Sequence, residues 1–381
     1  MSDLKFIITK VLKEAVGVPD NIDFVSEQVF NKFIKSIDKN SDFSDLDESI
    51  HIIKVNKDIG DLKIKNVIIT LKLMEGKKIE PVAYQNASQA RLTFDLRVEY
   101  RKFSGNVDVE IIIVSPKKVT GKDIISFFKN DKAETVATLS HELKHTYDKH
   151  KKSTEGMKQR IDYDIYSERN FPISTINKFL ISLYYTTVIE NLVRAPEVYT
   201  NLKLKGTEQT NFYENFMDNQ TIKRLLFIRD YSYEDFIQDL RENIEECKLF
   251  LKIINKFDSS KSDDEIIQDC LKYIHLNITN WRVDKINFYF SQYIFLNPFK
   301  QMDFSQKFEN EIKKYQNNPS DFFKDEIVRM KNVAGKMIKK ISKVYSLFKT
   351  NTNESIQNFD LYHKYKKNEQ SYSNKLNKIK K

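Results

Sequence analysis

The segment His141-Glu142-Leu143-Lys144-His145 constrains this chain more than any other. Two histidines four residues apart face the same way on a helix, where side chains at i and i+4 lie about 5–6 Å apart at Cβ. That separation suits two imidazole nitrogens closing on one metal ion at about 2.0–2.1 Å. Glu142 lies about 100° further round the helix, clear of the ion and free to serve as a general base. The expected cofactor is zinc, with His141 and His145 as ligands and Glu142 as the base. The chain has only six histidines in 381 residues, so a histidine-rich composition does not explain the spacing.

The flanking residues read as helix. Asn130 or Asp131 is a candidate N-cap, and Glu134 stands three residues after Asp131, as in a capping box. Val136, Leu139 and Leu143 then recur at i, i+3 and i+7, the buried stripe of an amphipathic helix. Ala137 and Ser140 leave room for a close neighbour. Before this helix, residues 62–74 alternate through Val67, Ile69, Leu71 and Leu73. Residues 91–101 alternate apolar and charged side chains, and residues 107–114 form a third apolar run. These three runs predict strands. Phe103-Ser104-Gly105-Asn106 is expected to join the last two as a hairpin, and Pro116 to end the sheet.

A catalytic zinc site needs a third protein ligand. His150, five residues past His145, faces another way and is expected at the surface. Residues 181–200 predict one long apolar helix interrupted by Glu190, Arg194 and Glu197, which share a face. Acids within an apolar helix are costly unless paired or metal-bound. Glu190 is the expected third ligand, with Glu197 as the alternative. Arg194 either pairs with Glu197 or holds a substrate carbonyl or carboxylate. Tyr199 or Tyr185 is the candidate donor to a developing oxyanion, and Asp148 the candidate partner of an imidazole. The competing interpretation of Glu190, Arg194 and Glu197 is a structural ladder of ion pairs.

HExxH followed by a second helix bearing Glu resembles the gluzincin branch of the zincin metallopeptidases. The resemblance covers roughly residues 60–200. The metzincin form would place Gly and His where this chain has Asp148 and Lys151. The run from Glu190 through Arg194-Ala195 to Glu197 is also similar to the second helix of small zincins, some of them phage-encoded. The familiar gluzincin pattern has Asp four residues after its ligand Glu, where this chain carries Arg194. The resemblance implies an α+β fold in which a zincin-like antiparallel sheet packs on the HExxH helix. It also implies hydrolysis of a peptide or protein substrate, and an extended peptide added along an edge strand.

The remaining sequence sets the expected organisation. Residues 1–58 read as a helical appendage, with periodic stretches at 4–16 and 24–37 and a polar linker at 40–47. Residues 59–202 form the zincin-like core, residues 203–360 a large all-helical region, and residues 361–381 a basic tail. That tail holds seven Lys and one Glu, most of the chain's net charge of +9. Such a tail is usually solvated. Binding of nucleic acid beyond it is not expected, because aromatic and basic residues do not interleave over a folded surface. The opening residues are too charged for a signal peptide, and no run reaches the roughly 18–20 apolar residues of a membrane span. The expected location is the cytoplasm or a particle assembled within a cell, such as a virion, with assembly proteins as further partners. Cys247 and Cys270 are too few for a disulfide framework.

Overall fold

The computed structural model describes residues 18–43, 47–75, 93–101, 105–115, 118–151, 162, 165–166, 170–205, 212–292, 306, 309–310, 313–315 and 318–348. The helix expected at 4–16, the side chain of His150 and the basic tail lie outside these residues. The fold is mixed α+β. Helix α1 (Ile22–Ser36) is followed by strands β1 (Asp42–Phe43), β2 (Glu48–Ile59), β3 (Leu62–Glu75), β4 (Thr93–Arg101), β5 (Asn106–Ser115) and β6 (Val119–Thr120). Helices α2 (Gly121–Asn130), α3 (Lys132–Lys151), α4 (Ser174–Tyr185) and α5 (Val188–Leu204) come next. After them the described elements are all helices: α6 (Phe212–Asp218), α7 (Gln220–Asp230), α8 (Tyr233–Glu242), α9 (Ile244–Ile253), α10 (Asp263–Gln292) and α11 (Pro319–Phe348). None of the described helices is long and apolar enough to cross a membrane.

The main sheet has the order β2-β3-β5-β4. Its pairs β2–β3 and β4–β5 are antiparallel, but β3–β5 is parallel. The sheet is therefore mixed, not antiparallel as expected. The connection over residues 76–92 is long enough to step over the neighbouring position, about 10 Å away at roughly 4.8 Å per strand. Strand β4 lies on the far side of β5, and the four residues between β4 and β5 suffice only for an antiparallel neighbour, so β5 sits between β3 and β4. Gly105, at φ +67, turns that connection in the left-handed region.

Alternation sets which face of the sheet is buried. Val67, Ile69, Leu71 and Leu73 of β3 pair with Val107, Val109, Ile111 and Ile113 of β5, and all eight are buried. Helices α1 and α3 cover this face, α1 against β2 and α3 beside β4. Strand β2 crosses the boundary expected at residue 58 and pairs with β3, and α1 packs on α3. Helix α1 and strand β2 thus share the core of the HExxH unit. The sequence hid β2 because its apolar residues lie on both faces: Ile50 and Ile52 are exposed, while the inward positions before Ile53 and Val55 are Ser49 and His51.

Helix α3 buries Val136, Leu139 and Leu143, as its periodicity demands. Helix α5 lies along it. The two approach closely where small residues meet: Thr200 Oγ1 donates to Ser140 Oγ at 3.0 Å. Asn201 Nδ2 donates to Glu134 Oε2 at 2.9 Å, so Glu134 ties the two helices together. Residues 181–200 are not one helix. The chain breaks at Thr186 and restarts, with the Thr187 side chain accepting from the Glu190 N–H as N-cap. The spacing Thr187-x-x-Glu190 is the sequence signature of such a start. Helix α11 packs on α5 and α7 and joins the later helices to the HExxH unit.

Candidate metal centre

The helical spacing of α3 brings the two imidazoles face to face. His141 Nε2 and His145 Nε2 are 3.1 Å apart. From α5, Glu190 Oε1 lies 3.2 Å from His145 Nε2, and its Oε2 lies 3.6 Å from His141 Nε2. Glu142 stands alongside, with Oε1 at 3.8 Å from His141 Nε2. Ligand atoms of His141, Glu142 and His145 all fall within 4.8 Å of one another. Three donors around a tetrahedral zinc, with bonds of about 2.0–2.1 Å, sit about 3.3–3.4 Å apart. The two nitrogens and the Glu190 carboxylate match that separation closely. Glu142 lies further out, and its side chain keeps 23% of its surface exposed while Glu190 keeps none. Glu190 therefore fits as third ligand, and Glu142 fits as the base on the open side.

The break at Thr186 and Thr187 matters for Glu190. It makes Glu190 the third residue of α5, where the unpaired N–H groups and the helix dipole favour a negative charge. Burial opposes ionisation of Glu190. The Arg194 guanidinium outweighs it, aided by the hydrogen bond from His145, and holds the carboxyl well below its ordinary range.

Glu197 does not face the shared space between the Nε2 atoms. Its Oε2 accepts from His141 Nδ1 at 2.7 Å. That partner assigns the proton of His141 to Nδ1 and turns the Nε2 lone pair toward His145 and Glu190. Glu197 also accepts from Arg194 Nη1 at 2.7 Å and from the Thr221 hydroxyl. Burial pushes the Glu197 carboxyl up, but Arg194 and the bond from His141 prevail and bring it to about 2.

Arg194 binds both carboxylates, donating through Nη2 to Glu190 and through Nη1 to Glu197. Its guanidinium lies over the Tyr185 ring at 4.0 Å. Burial disfavours its charge, yet the two glutamates hold it protonated. The ion pairs expected among Glu190, Arg194 and Glu197 are thus present together with the donor cluster. Two carboxylates and one guanidinium leave a buried charge of minus one. A divalent cation beside an ionised Glu142 brings the group to neutrality, a second respect in which these residues fit a metal ion.

Two expected residues sit elsewhere. Tyr199 is nine positions beyond Glu190, about 180° round α5. Its charged neighbours are Asp23 and Lys203, and burial raises its hydroxyl to about 12. Asp148 accepts from Lys144 Nζ at 2.5 and 2.6 Å rather than from an imidazole. Sequence reasoning missed Thr221, which reaches Glu197 from α7 across 24 residues; an isolated threonine carries no local signal.

No protein-family model, no curated protein and no solved structure matches this chain.

Proposed function

We propose that this protein is a zinc-dependent peptidase of the zincin type, with His141, His145 and Glu190 as metal ligands and Glu142 as general base. One observation carries the reading: two imidazole nitrogens and a fully buried carboxylate converge at 3.1–3.6 Å, with a partly exposed glutamate beside them. Zinc at this position would supply Lewis acidity, polarising a carbonyl and lowering the pKa of a coordinated water.

The chain's own residues supply the rest. Glu142 takes a proton from the attacking water and returns it to the leaving amine. Glu197 keeps His141 in the tautomer that presents Nε2. Arg194 orients both carboxylates and, being engaged at both ends and buried, acts on their positions rather than on a substrate. Strand β4 is an edge of the described sheet and runs beside α3. Its outer backbone groups, unpaired within the described sheet, can pair with an extended peptide and lay it across the cluster.

A second reading has its own support. Arg194 already compensates one of the two buried negative charges. The cluster would then be an ionic core in a structural or assembly protein, virion-associated proteins included, with weak or lost catalysis. Zinc stoichiometry and cleavage of denatured proteins by wild type and Glu142→Gln separate the two. The peptidase reading expects about one zinc per chain in both proteins and at least a ~100-fold loss of cleavage in the variant. Zinc without Glu142-dependent cleavage supports the assembly reading, and no zinc at all removes the peptidase.

A further inference from the structure

We infer that Thr221, on a helix outside the HExxH unit, is a positioning residue of the metal centre, and that α7 thereby completes the site. This role rests on the metal-site reading above and extends it to the helical half of the chain. The contacts form one chain of hydrogen bonds. The Thr221 hydroxyl donates to Glu197 Oε1, and Glu197 Oε2 accepts from His141 Nδ1 at 2.7 Å. His141 then presents Nε2 to the shared space. Thr221 therefore occupies the third shell of a carboxylate–histidine arrangement, two hydrogen bonds from the donor atom.

A second contact from the same helix acts in parallel. Arg224, three residues after Thr221 and so on the same side of α7, lies over the Tyr185 ring at 4.4 Å. Arg194 lies over that ring at 4.0 Å. Helix α7 thus touches both residues that orient the ligands: Glu197 directly, and Arg194 through Tyr185.

The physical need for Thr221 follows from burial. Glu197 is buried and carries two oxygens. Oε2 is satisfied by His141 and Arg194, and Oε1 by Thr221. Without the hydroxyl, Oε1 loses this donor, and the carboxylate gains by drawing an already engaged donor toward that atom. Either donor that follows moves away from its present partner: His141 turns its ring, or Arg194 loosens its grip on Glu190. Both routes spoil the Nε2–Nε2–carboxylate convergence. The hydroxyl of α7 therefore selects the ring orientation that a metal ion needs.

The test uses the full chain and zinc alone, read by competition with a chromophoric chelator. Thr221→Val preserves volume and deletes the donor; Thr221→Ser restores the donor. Direct partners of a ligating histidine are worth about 10–100-fold in metal affinity, and Thr221, one hydrogen bond further out, is expected at the low end of that range. The expected result is a zinc Kd raised at least about tenfold in Thr221→Val, and within about threefold of wild type in Thr221→Ser. A general packing role would not be rescued by serine, which lacks the methyl group. If Thr221→Val does not fold, Thr221→Ala carries the same expectation. A folded donorless variant that binds zinc as tightly as wild type overturns the role of Thr221 and leaves the peptidase reading standing. A wild type that binds no zinc overturns both.

Discussion

Replacing Arg194 with methionine should separate the structural value of the buried charges from their value as metal ligands. The arginine is almost wholly buried and donates to Glu190 and to Glu197. Methionine keeps the length and the apolar stem but leaves two buried carboxylates with no cation between them. Each charge-assisted bond is worth about 1.5–3 kcal/mol, and breaking a buried pair by removing one partner costs about 3–5 kcal/mol. In excess chelator, Arg194→Met should therefore lose about 3–5 kcal/mol by urea denaturation, or about 4–6 °C in Tm for a chain of this size. Chelator is essential, because zinc at 100 times its Kd adds about 2.7 kcal/mol to any variant that binds it. An exposed pair provides the contrast. Lys223 meets Asp218 with both side chains largely in water, so Lys223→Ala should leave the denaturation midpoint close to that of wild type. The cycle with Glu190→Gln gives the coupling. Once Glu190 is neutral, losing Arg194 should cost at least about 1 kcal/mol less than it does alone. A loss below about 1 kcal/mol in Arg194→Met, or strict additivity in the cycle, would refute the claim that this ion cluster is desolvated and mutually supporting.

Other expectations follow from single contacts. Thr187→Ala removes the side chain that accepts from the Glu190 N–H at the start of α5, and should cost about 0.5–2 kcal/mol in chelator, with Thr187→Ser near wild type. Equal denaturation midpoints for all three proteins would show that the cap contributes nothing. Glu134 has its carboxyl raised above 4.5 by burial first and by Glu197 second. The folded state therefore holds the proton more tightly than the unfolded chain, and stability falls as pH rises from about 4.5 through the folded pKa. Glu134→Gln still accepts from Asn201 but removes that penalty. It should match or exceed wild type in denaturant midpoint at pH 7, and the gain should shrink as pH approaches 4. A variant weaker than wild type at pH 7 alone would reverse the sign of this argument.

Much of the site was legible because helical geometry is local. The i, i+4 spacing of His141 and His145, and the shared face of Glu190, Arg194 and Glu197, follow from 3.6 residues per turn once each segment is helical. The same arithmetic sets Tyr199 half a turn away from Glu190, so its distance from the cluster was available in the sequence. The break at Thr186 was also written there, in Thr187-x-x-Glu190, but a continuous apolar pattern on both sides masked it. Strand β2 was obscured because Ile50 and Ile52 point outward while Ser49 and His51 take inward positions, which defeats an apolar–polar alternation.

By itself the sequence determined what several segments are and which way their side chains point: strands at 62–74 and 107–114, a helix carrying HExxH, a helix carrying three charges on one face. Those properties depend on neighbours within a few residues. Tertiary structure alone decided which segments meet. It made β3 and β5 parallel, chose Glu190 over Glu197 for the space between the imidazoles, and brought Thr221 to Glu197. The choice of Glu190 over Glu197 depends on how α5 is rotated and shifted against α3. Packing of Ser140 against Thr200 and Glu134 against Asn201 sets that rotation. Contacts between residues 60 or more positions apart leave no periodicity in either segment.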